Sequence, residues 1–163
     1  MARIAPQLAM HTSAVAPGGG GGQTHHSTDL IIGTKPYMPA EYLMAGHISE
    51  KTDTFAFGVV LLELLTGKPP YDEENDTLLH MTSMALMCDP QHRLAPVLDA
   101  RVPTGAWAAV GAGGEVSGRA LELCLLARRC LEMLASVRGT MREVMPGVVA
   151  LTAAARGGGG AAV

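Results

Sequence analysis

Aromatic residues are scarce: Phe, Trp and Tyr make up 4% of the 163 residues, against 48% for all hydrophobic types. The apolar content is mostly Ala, Leu, Val and Met, and with so few aromatics it favours helices over sheets. Cysteine is sparse as well. Cys88, Cys124 and Cys130 include no Cys-x-x-Cys pair, which excludes a zinc ribbon and a dithiol redox motif. An odd, low count fits reduced, buried thiols in the cytosol. Charged residues are 17% of the chain, the formal net charge is -3, and Lys and Arg form no block or stripe. Nucleic acid is therefore not an expected partner. No long hydrophobic run occurs either. Ala56 to Leu62 is stopped by Glu63, too short to span a bilayer, and the N-terminus has no secretory apolar region. These absences leave a cytoplasmic chain of one domain, large enough to bury a core.

Glycine and proline punctuate what remains. Residues 1–28 carry Pro17, the run Gly18 to Gly22 and the polar stretch Gln23 to Thr28. Such a segment buries too little apolar surface to offset its ordering entropy and is expected to be flexible. The glycine run has neither Gly-Lys-Ser/Thr after it nor Gly-x-Gly-x-x-Gly spacing, so it is not a phosphate cradle. His25-His26 lacks a third ligand at metal-binding spacing. Asn75-Asp76-Thr77 fits a glycosylation acceptor pattern, silent without a secretory signal.

Residues 29–48, with Pro36 and Pro39, form a connection. Ser49 then caps a helix predicted over Glu50–Thr66, in which Phe57, Val60, Leu61, Leu64 and Leu65 recur at helical spacing. Gly67, Pro69 and Pro70 stop it. Its apolar faces mark a central, buried element. A Met-rich helix is expected over 76–87, its methionines packing rather than binding a partner. A Gly- and Ala-rich loop with a turn near Trp107 follows. A further helix is expected over 116–134, with Leu123, Leu126, Ala127, Cys130, Leu131 and Leu134 on one stripe and Arg128 and Arg129 opposite. The last helix starts at Thr140, where Thr140 to Glu143 matches a capping box, and runs to about Ala155 past Pro146, a potential kink. Residues 156–163 read as a flexible tail. With no convincing strand, the fold class is mainly α.

Three blocks in order resemble the C-terminal helical lobe of the eukaryotic protein kinases, closest to the receptor-like and interleukin-1-receptor-associated (Pelle-like) serine/threonine kinases. Gly33-Thr34-Lys35-Pro36-Tyr37-Met38-Pro39-Ala40-Glu41 resembles the family's Gly-Thr-x-x-Tyr-Met-Ala-Pro-Glu at the end of the activation segment. Ser49 to Asp53 with Phe57 to Gly67 resembles the helix at the centre of the large lobe. Ala127 to Glu132 with Val137 to Val144 resembles its last two helices. Met1-Ala2-Arg3-Ile4 is similar to the residues that follow Asp-Phe-Gly. The resemblance makes 29–155 a partial kinase domain and 1–28 an activation-loop-like segment. Two departures stand out: Pro39-Ala40 reverses the usual order, and Gly139 replaces a common Pro.

The resemblance implies roles residue by residue. Glu41 and Arg138 would form a structural ion pair. Asp53 would anchor the catalytic loop from the start of the central helix. Thr34 would lie in the substrate-binding loop, and Thr24, Ser27 and Thr28 are phosphorylation candidates. The catalytic parts of the family do not occur in this sequence: no Val-Ala-Ile-Lys, His-Arg-Asp or Asp-Phe-Gly string is present, and kinase chemistry depends on them. The catalytic loop and the smaller lobe are thus absent, with no catalytic residue, cofactor-binding residue or metal ligand in this chain. ATP and magnesium are expected only for a complete family member. Two functions follow: part of a serine/threonine kinase, inactive alone, or a non-catalytic pseudokinase-like scaffold. The expected partners are a protein substrate or a partner kinase.

Overall fold

The computed structural model describes residues 26–27, 31–73, 77–78, 88–101 and 109–157. The expectations for the glycine run, Thr24, Thr28, His25, Trp107, the 76–87 helix and most of the tail lie outside the described residues, apart from the strand at 77–78.

The described chain is mainly helical. A 3-10 turn at Lys35–Tyr37 leads into α1 (Ala40–Ala45), then the long α2 (Glu50–Thr66). The short α3 (Pro90–Arg93) precedes α4 (Arg119–Cys130) and α5 (Met141–Gly157). Strands occur only as two-residue antiparallel pairs among the described residues: β1 (His26–Ser27) with β2 (His47–Ile48), β3 (Tyr71–Asp72) with β4 (Thr77–Leu78), and β5 (Ala109–Val110) with β6 (Val116–Ser117). Two residues are too few for alternation to register in a sequence. The β5–β6 pair is closed by a turn in which Gly111 N–H donates to the Glu115 carbonyl at 2.9 Å.

α2 begins and ends on local signals. The Ser49 hydroxyl accepts from the Lys51 amide, and the Thr52 hydroxyl accepts from the Ser49 amide, so orphan donors of the first turn are satisfied. At the other end Gly67 takes φ 65° and donates to the Glu63 carbonyl at 2.8 Å, a left-handed position that favours glycine.

α2 buries one arc: Phe55, Val59, Leu61 and Leu62 pack on Leu126, Ala127, Cys130 and Leu131 of the α4 region, with Val144 of α5 closing the cluster. A second cluster joins Leu65 to Leu94, Val116, Ala120 and Cys124. The contact between α2 and α4 is close because position 58 has no side chain. A Cβ there would stand 2.7 Å from Cys130 Cβ and 2.8 Å from Leu131 Cγ. Burial pushes the thiols of Cys124 and Cys130 up to about 11, which makes them packing groups rather than nucleophiles.

Two expectations change. The arc that packs is not the predicted stripe: Leu61 and Leu65 are buried, but Val60 and Leu64 are exposed on the opposite side. A helix with apolar residues nearly all round gives periodicity little to choose between. α4 also starts and stops inside the predicted span. Val116 and Ser117 are strand, Gly118 turns the chain at φ 86°, and the helix ends at Cys130 with Leu134 exposed.

The close approach at Gly58 yields a test. Gly58→Ala gains about 1 kcal/mol of helix propensity but overpacks the α2–α4 contact by about 1–3 kcal/mol. Urea denaturation followed by circular dichroism should show a net loss of stability, and a larger one for Gly58→Val. A variant as stable as the parent would contradict the packing described.

Candidate functional site

The polar centre of the molecule lies where α1, the first turn of α2 and the segment between α4 and α5 meet. Arg138 is 1% exposed, yet all five guanidinium N–H groups have acceptors. Nε donates to the Glu132 carbonyl at 2.8 Å. Nη1 donates to Glu41 Oε1 at 2.6 Å and to the Lys51 carbonyl at 3.2 Å. Nη2 donates to Glu41 Oε2 at 3.3 Å and to the Met133 carbonyl at 3.3 Å. The guanidinium lies 5.0 Å from the centre of the Phe55 ring. A forked pair to one carboxylate plus three carbonyls suits arginine and not lysine.

Lys51 is a second buried cation. Its ammonium donates to the carbonyls of Ala135 at 2.8 Å and Ser136 at 3.3 Å. Together Lys51 and Arg138 collect the carbonyls of Glu132, Met133, Ala135 and Ser136, which is why helix does not continue past Cys130. Nothing in the sequence singled out Lys51, because a lysine in an N-terminal turn carries no signal of burial.

The segment before α1 is braced from two sides. The Tyr37 hydroxyl donates to the Glu63 carboxylate of α2 at 3.0 and 3.1 Å. Burial, then the Glu63 carboxylate, raise the Tyr37 pKa and keep it a donor. The Tyr42 hydroxyl accepts from the Ile32 amide at 3.1 Å and donates to the Ile32 carbonyl at 3.1 Å. Neither tyrosine pairing was legible in the sequence. Between these braces Thr34 is exposed and its carbonyl accepts from the Tyr37 amide at 3.0 Å.

The structure thus joins Glu41 to Arg138 and leaves the other named residues apart. Asp53 is exposed on the first turn of α2, with no hydrogen-bond partner among the described residues. Ser27 is exposed in β1. Reversal of Pro39 and Ala40 leaves Pro39 at the N-cap of α1 and Glu41 in its first turn. Glu143 accepts from the amide and hydroxyl of Thr140. Those two bonds, with smaller contributions from Lys51 and Arg129, hold its carboxyl below the usual range.

Among the described residues, no group of three or more His, Cys, Asp or Glu side chains is placed to hold a metal ion. The described residues therefore offer no carboxylate set that would hold the magnesium of magnesium–ATP. No described helix is long and apolar enough to cross a membrane.

Comparison with known proteins bears on this geometry. The protein kinase domain family matches residues 19–147. The probable serine/threonine-protein kinase PBL11 of Arabidopsis thaliana is 34% identical over 129 residues, 76% of this chain and 30% of that protein. Receptor-like cytoplasmic kinase 176 of Oryza sativa subsp. japonica is 32% identical over 136 residues, 80% of this chain and 31% of that protein. The inactive serine/threonine-protein kinase BKN2 of Arabidopsis thaliana is 32% identical over 124 residues, 74% of this chain and 34% of that protein. The chain therefore spans about a third of these relatives' length.

Two outcomes are expected from the site. Arg138→Met strands the Glu41 carboxylate and three carbonyls and should cost about 3–5 kcal/mol. Arg101→Met, removing a largely exposed side chain from its pair with Asp99, should cost far less, because solvent screens an exposed pair. Equal melting temperatures for the two variants would overturn the assignment. Because the Glu143 carboxyl is lowered in the folded chain, its contribution is present above the unfolded carboxylate pKa. It is lost as pH falls through the folded pKa. Acid titration of stability should therefore be shallower for Glu143→Gln than for the parent, and identical curves would contradict the Thr140–Glu143 cap.

Proposed function

This chain belongs to the protein kinase family, and on that premise we propose that it is the substrate-docking part of a serine/threonine kinase large lobe, inactive in phosphoryl transfer on its own. The observation that carries the reading is the braced segment of residues 31–42, held by Glu41–Arg138 at its base and by Tyr37 and Tyr42 above, in a chain without the family's catalytic strings. Exposed Thr34 is the residue that would meet a substrate hydroxyl's neighbourhood. Glu41 and Arg138 serve as structural anchors. Asp53 is exposed where the catalytic loop of a complete domain would supply backbone donors. Thr24, Ser27 and Thr28 are the proposed phosphate acceptors, each adding about −1.5 to −2 charge.

In this reading residues 29–155 are the partial domain, working in the cytoplasm on a protein substrate or with a partner kinase. The complete protein would transfer the γ-phosphate of ATP to a serine or threonine hydroxyl. ATP and magnesium belong to that complete protein, and no step is assigned to them here. A second reading, a non-catalytic scaffold, is favoured by the resemblance to a relative named as an inactive kinase.

The purified chain, given labelled ATP, magnesium and a generic protein substrate, should incorporate no label above a chain-free control. Incorporation that disappears on denaturing the chain would overturn the proposal. A single cooperative thermal transition would favour the scaffold, and gradual melting the fragment.

A further inference from the structure

We draw no further inference here: the strongest candidate, the exposed apolar turn of Leu134 and Val137 between α4 and α5, carries nothing, because exposed Glu132 and Glu143 stand beside exposed Arg129 and Arg142 and nothing in the structure shows what covers it.

Discussion

A buried guanidinium is the constraint around which the described molecule is arranged. Arg138 makes five hydrogen bonds from a side chain with no exposed surface. It can do so only if α1 delivers a carboxylate, α2 delivers a carbonyl, and the chain after α4 abandons helix to deliver two more. Each of those demands is visible as a local irregularity. α1 starts at a proline with Glu41 in its first turn, α2 begins at a tight cap, and α4 stops at Cys130 although the leucine pattern continues. The helices would pack without the arginine, but their ends would not have these positions. Lys51 extends the same logic by binding the two carbonyls that Arg138 does not reach.

Hydrophobic packing and the polar centre divide the work. The arc of α2 on α4 and α5 supplies the area removed from water, and Gly58 lets the helices approach closely. That contact is non-directional and tolerates exchange of one apolar residue for another. The polar centre is directional and fixes which segment lies where. The segment from Ile32 to Tyr42 draws on both kinds of order: the hydrogen bonds of Tyr37, Tyr42 and Glu41 fix its path, and Met38, Pro39 and Tyr42 are buried.

Legibility in the sequence followed the range of the signal. α2 could be bounded because Ser49, Gly67, Pro69 and Pro70 act on their own turns. The end of α4 could not, because it is set by Lys51 and Arg138, and Lys51 lies far away in the chain. Glu41 and Arg138 were picked out through likeness to a known family and not through any pattern in their own neighbourhoods. Lys51, Tyr37–Glu63 and Tyr42–Ile32 had no such guide. A lysine beside a cap and a tyrosine near a proline look the same whether they are buried or solvated. Val60 and Leu64 misled for the opposite reason: on a helix so rich in leucine and valine, composition cannot say which side faces the core.

The bonds of Arg138 to Glu41 and to Lys51 span 97 and 87 residues, and that of Lys51 to Ala135 spans 84. Loops of such length are slow to close relative to local turns. During synthesis α1 and α2 emerge with their polar partners still unmade, so Glu41 and Lys51 remain hydrated and the first half of the lobe has no fixed end. Only when residues 132–138 leave the ribosome can the two halves be committed to each other. The arginine is thus a late checkpoint in assembly, and a chain interrupted before it would lack α5 as well as the bonds that relate α1 and α2 to the segment after α4.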